Sequence, residues 1–139
     1  MKPSLNGSGI STTQSRVQMD GEGVLHIKLF KKAKINLETA QKDFQQIDNL
    51  LLKQRAPILV DIRNSTEISD EAIKFFSKGI KIDFIIALAV LEQNPIREKI
   101  MNFFMEELIH YEFPIRVFTK EEHAHFWLVD YTKQFFLLS

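Results

Sequence analysis

The chain has no cysteine among its 139 residues. That excludes a disulfide framework and thiol catalysis, and it fits a reducing cytoplasm. An excess of charge of either sign is also missing. Lys plus Arg (18) balances Asp plus Glu (18), a formal net charge of zero. A general nucleic-acid binder needs a basic excess to meet phosphates, so nucleic acid is not an expected partner. The one basic cluster in sequence, Lys28, Lys31, Lys32 and Lys34, reads as a solvated strand edge and loop. Long apolar runs are lacking too. The longest is Phe84 to Leu91, far short of the roughly 20 residues that span a bilayer, so no membrane insertion is expected. The N-terminus has no hydrophobic core of a signal peptide.

Motifs of the common catalytic classes are equally absent. There is no Gly-x-Gly-x-x-Gly, no P-loop and no Gly-x-Ser-x-Gly, and no spacing assembles Ser, His and Asp into a triad. The chain therefore reads as non-enzymatic, with no cofactor.

What is present is apolar material in ordered patterns. The chain is 45% hydrophobic with twelve Phe, enough for one domain with a sizeable core. Residues 1–15, rich in Ser, Thr, Gly and Asn, read as a flexible leader, 16–132 as the domain and 133–139 as a C-terminal tail. Arg16 to Met19 reads as a short strand, and Asp20-Gly21-Glu22-Gly23 as a turn. In Val24 to Phe30, Leu25, Ile27 and Leu29 share one face and Val24, His26, Lys28 and Phe30 the other, the pattern of a half-buried strand closing a hairpin. Asn36 caps a helix whose apolar stripe is Leu37, Ala40, Phe44, Ile47 and Leu51.

Ile58 to Ile62 reads as a strand interrupted by Asp61, and Ser69 opens a helix with Asp70 and Glu71 in its first turn. Phe84 to Leu91 suits a central strand buried on both faces. Asn94 caps the next helix, with Pro95 at its first position. Phe113 to Trp127 closes the series: a strand at Ile115 to Phe118, a capping box from Thr119 to Glu122, and a helix stripe of Ala124, Trp127, Leu128 and Tyr131. Strands alternating with helices predict an α/β fold with right-handed crossovers. Its mixed, mostly parallel sheet has four to five strands, about four helices and an N-terminal β-hairpin.

Several stretches, taken in order, carry a resemblance. They are Gly23-Val24-Leu25, Ile35-Asn36-Leu37-Glu38, Leu59-Val60-Asp61-Ile62-Arg63, Ile68-Ser69-Asp70-Glu71-Ala72, Ala87-Leu88-Ala89-Val90 and Arg116-Val117-Phe118-Thr119 with Ala124 and Trp127-Leu128. Over residues 20 to 130 the chain resembles the STAS (SpoIIAA-like) fold of anti-sigma-factor antagonists, and more closely the short bacterial STAS-like proteins of unassigned function. The resemblance implies a small cytoplasmic regulatory module that binds a partner protein. The antagonists are switched by phosphorylation of a Ser in an Asp-Ser-Ser-Gly sequence at a helix start. Here that stretch reads Ser69-Asp70-Glu71-Ala72, with carboxylates in place of the serine pair. Ser65, Ser69, Asp70 and Glu71 are therefore candidates for an interaction or switch surface, without the family's phosphoserine.

Two other groups of residues are candidate sites. The edge where strands end and helices begin collects Asp61, Arg63, Asn94, Arg97 and Lys120, and helix N-termini there could hold an anion. The plainer reading is that Asn94 caps a helix and Asp61 pairs with a basic neighbour or anchors the following turn. A third use of Asp61, as a general base or phosphate acceptor, would make the chain an enzyme.

Met101, Met105 and Ile109 form a second apolar stripe beside the core stripe of their helix. That surplus fits an oligomer face, a homodimer included, as well as a wide core face. A Phe-rich interior could also enclose a small apolar ligand. No metal site is expected. His123 and His125, two apart on a helix, point to different sides, and His26 and His110 lie far off in sequence.

Overall fold

The computed structural model describes residues 9–12, 15–31, 34–52, 54–63, 67–68, 85–96, 98–99, 101–102 and 113–138. Along the chain it forms β1 (Ile10–Ser11), β2 (Ser15–Met19), β3 (Leu25–Leu29), β4 (Lys34–Ile35), α1 (Leu37–Leu51), β5 (Ala56–Asp61), β6 (Glu67–Ile68), β7 (Ile85–Leu91), β8 (Ile115–Phe118) and α2 (Glu121–Leu138). Six strands make one sheet in the order β1-β2-β3-β5-β7-β8, while β4 and β6 pair separately. The first three strands are antiparallel neighbours, and β3, β5, β7 and β8 run parallel. This is the mixed, mostly parallel α/β sheet with an N-terminal hairpin that the sequence predicts.

The hairpin forms where the turn residues put it. Ser15 pairs with Leu29 and Met19 with Leu25. The Asp20 N–H donates to the Val24 carbonyl at 3.0 Å, and Gly23 takes φ 83°, which only glycine adopts without strain. The six-stranded sheet has one more strand than the sequence suggests, and the short β4–β6 pair is a further addition. Ile10 and Ser11, in the stretch read as flexible leader, pair with Val17 and Arg16. Their backbone, not their side chains, makes that pairing, so hydrophobic periodicity gives no sign of it.

Two cores flank the sheet. Leu25, Ile27, Leu29, Ile58, Leu88 and Val90 point to one side, where Ile47 and Leu51 of α1 cover them. Val24, Leu59, Ile86, Ala87, Ala89 and Leu91 point to the other, against Ala124 and Leu128 of α2. Every residue of β7 is buried, as its unbroken apolar run requires. Small residues at Ala87, Ala89 and Ala124, each fully buried, let α2 lie close to the sheet.

The helix ends depart from the sequence reading in three places. Asn36 caps α1 as expected, and Thr39 completes the capping box. Of the α1 stripe, Ile47 and Leu51 are buried but Leu37 is exposed at the helix start. The first bond of α2 runs from the Ala124 N–H to the Lys120 carbonyl, 3.2 Å, so Lys120 rather than Thr119 stands at its N-cap. The cause is that Phe118 is still tied to the sheet through the Glu92 N–H, and the chain needs two residues to turn. The segment read as a tail from residue 133 instead continues α2 to Leu138. Phe135 packs against the second core and lies 4.8 Å below the Arg55 guanidinium, a cation–π contact that favours helix over fraying.

On the β8 edge, Asn102 stands in for a further strand. Its Oδ1 accepts from the Val117 N–H at 2.7 Å and its Nδ2 donates to the Val117 carbonyl at 2.9 Å. That occupies the Val117 backbone groups, which an open edge would otherwise offer.

Candidate functional site

Asp61 ends β5 and is buried. Its Oδ1 accepts from the Arg63 backbone N–H (3.0 Å) and Nε (2.9 Å), and its Oδ2 accepts from Nη2 (2.7 Å). The hydrogen bond to Asp61 raises the Arg63 pKa against the opposing effect of burial, and the charges of Asp61, Glu121 and Glu122 add to it. Asp61 thus anchors the turn that follows it, and the Arg63 charge is already met by carboxylates. Both facts weigh against the anion, and against the reactive Asp61, that the sequence offers here. Asn94 caps its helix: Oδ1 accepts from the Ile96 N–H at 2.9 Å, and its carbonyl accepts from the Glu98 N–H at 3.0 Å. Lys120 is exposed at the start of α2.

Ser65, Ser69, Asp70, Glu71, Arg97, Met105 and Ile109 lie outside the described residues. Met101 is half-buried and packs against the first core, so much of its side chain serves the interior rather than a free face.

The outer side of α2 is different. Phe126 is 73% exposed, and Phe136, Leu137 and Leu138 are exposed further along. Between α2 and β8 runs an open groove of about 520 Å³ lined by Phe118, Phe126 and Trp127, with Arg116, His123, Glu98 and Asp130 around it. Trp127 lies 5.6 Å from the Phe118 ring and 6.0 Å from that of Tyr131. The Arg116 guanidinium sits 5.4 Å over Phe118. A smaller groove of about 250 Å³ lies by Met19, Leu50, Leu51 and Leu52.

The inner side of α2 carries a polar cluster that sequence reasoning did not assemble. Asp20 closes the β2–β3 turn with its side chain almost wholly buried. Its Oδ1 accepts from the backbone N–H groups of Glu22 (2.8 Å) and Val24 (3.1 Å). Its Oδ2 lies 2.7 Å from His26 Nε2 and 2.9 Å from His125 Nε2. The two imidazole rings stack with centroids 6.1 Å apart. Burial alone would raise the Asp20 carboxyl, but the hydrogen bonds from His26, Val24, Glu22 and His125 outweigh it and hold its pKa below the ordinary value. An ionised carboxylate only accepts, so both Nε2 atoms must be donors.

His26 was visible in the sequence on the polar-looking face of its strand, yet α2 covers that face. His125 follows the inner-face residue Ala124. An inner face of α2 laid on the Val24–His26 side of the sheet would have joined them; their separation of 105 residues from Asp20 to His125 hides the contact from any local pattern.

A family model described as "Domain of unknown function (DUF7793)" matches residues 17–132, a span that contains Asp20, His26 and His125. No curated protein matches the chain. Among solved structures, an uncharacterised protein of the DUF3478 family from Shewanella loihica PV-4, with a SpoIIAA-like fold, superimposes with a TM-score of 0.53 at 16% identity, covering 92% of this chain and 96% of that one. A protein of unknown function from Arthrobacter sp. FB24 matches at 22% identity, covering 81% and 96%, but its TM-score of 0.32 is too low to define a common fold. The first likeness shows that the fold is SpoIIAA-like.

Proposed function

We propose that this chain, which belongs to the DUF7793 family, is a non-enzymatic regulatory module of the cytoplasm that acts by docking a partner protein on the outer face of α2. The observation that carries this reading is Phe126. A phenylalanine 73% exposed beside a groove floored by Phe118 and Trp127 is the aromatic pairing typical of an interface centre rather than of a solvated helix. Among the described lining residues, Glu98 and Asp130 against Arg116 give the groove wall a net negative charge. The chemistry that fits is an apolar side chain flanked by a basic residue on the partner. Asp61, held by Arg63, supports leaving catalysis out of the reading.

Phe126→Glu should leave the fold intact, because the side chain is exposed, and should lower partner binding at least about tenfold, the usual cost of losing an aromatic anchor. Cross-linking in the native cell, read by mass spectrometry, measures it, with Gln46→Glu, exposed on α1, as the control. A partner recovered equally from wild type and Phe126→Glu would contradict the proposal. Light scattering on the pure protein tells whether the partner is a second copy: a doubled mass that Phe126→Glu halves identifies a homodimer.

A further inference from the structure

Asp20, His26 and His125 come from a turn, a strand and a helix, and they offer one carboxylate oxygen and two imidazole nitrogens within 4.8 Å of one another. Such convergence of three separate elements on one point is more than packing requires. Two histidines and a carboxylate are the donor set of open zinc centres and of other first-row divalent sites. We infer that Asp20, His26 and His125 bind a divalent transition-metal ion, zinc above all.

The geometry suits this occupant. Zinc bonds of about 2.0–2.1 Å in a tetrahedron place ligand atoms roughly 3.3 Å apart. Oδ2 stands 2.7 and 2.9 Å from the two Nε2 atoms, so each of those two pairs needs about half an ångström of opening to reach zinc spacing, and all three ligand atoms already lie within 4.8 Å of one another. Each ring then carries its proton on Nδ1, leaving Nε2 free to bind. The amides of Glu22 and Val24 on Oδ1 orient the carboxylate, as groups behind a metal ligand commonly do. Glu22 Oε1 lies 3.9 Å from His125 Nε2, and its side chain is more than half exposed, so it can swing in as a fourth ligand or leave that place to water. The His26 and His125 side chains keep 11% and 12% of their surface in solvent, which gives the ion a way in.

The test is calorimetric titration of the full chain, free of affinity tags and stripped with chelator, with zinc sulfate. A cobalt(II) titration in parallel reads coordination from the visible spectrum. One zinc per chain with micromolar or tighter affinity is expected, and so is an intense tetrahedral cobalt band. His125→Ala and His26→Gln should each weaken binding by about tenfold or more, whereas His123→Ala, exposed on the same helix, should not. Circular dichroism shows whether each variant folds. Should His125→Ala fail to fold, His125→Gln, which keeps a donor, replaces it. Absence of stoichiometric zinc binding to the wild type overturns the inference. So does binding that survives the loss of His125 or His26, or that vanishes with His123.

Discussion

Asp20→Ala should lower stability by about 3 kcal/mol, because it strands several buried donors at once. Two backbone N–H groups and two imidazole Nε2 groups converge on that carboxylate, and a methyl group can accept from none of them. Water can reach part of the site past the histidines, which keeps the loss below the sum of separate penalties. The melting temperature should fall by roughly 10 °C. Asp20→Asn, which retains one acceptor oxygen, should lose about half as much. Thermal and urea unfolding followed by circular dichroism measure both. Equal stability of Asp20→Ala and wild type would mean that the hub does not hold the turn and α2 together.

Leu128→Ala should cost about 3 kcal/mol. Leu128 is fully buried between α2 and the sheet, beside Ala87, Ala89 and Ala124. These neighbours are already small and backed by sheet, so they cannot close over the cavity. Leu137→Ala, on the same helix but 82% exposed, should change stability by less than about 0.5 kcal/mol. The pair fixes which side of α2 faces the sheet. Comparable losses at both positions would show that the C-terminal turn of α2 is buried as well.

Much of the fold was legible from residues alone, and each legible part has a local cause. Gly23 in its turn and the alternation of Leu25, Ile27 and Leu29 announce the hairpin. An unbroken apolar run announces β7, and Asn36 and Asn94 announce helix starts. The parts that were not legible depend on distant partners. β1 exists because the β2 backbone offers it hydrogen bonds, and residues 133–138 stay helical beside a cation–π contact between Arg55 and Phe135. Thr119 and Glu122 carry capping-box chemistry, but the tie between Phe118 and Glu92 moves the start of α2 by one residue.

The candidate site follows the same rule. Asp61 could be read as an anchored carboxylate, since an unpaired charge amid Ile58, Leu59 and Val60 would be too costly, and Arg63 two residues on supplies the partner. The Asp20 cluster could not, because His26 is six residues away across a turn and His125 is brought in only by the packing of α2. Alternation marked His26 as facing away from the Leu25 side. Only the second helical layer makes that face an interior.

One buried carboxylate, Asp20, joins β3 to α2 through the Nε2 atoms of His26 and His125. Long-range proton–nitrogen correlation spectra of the metal-free protein test it most directly, because they report which ring nitrogens carry protons. Both histidines should show a protonated Nε2, and Asp20→Asn should shift both Nε2 signals together. An unprotonated Nε2 on either ring, or a shift confined to one of them, would mean that Asp20 does not hold both histidines.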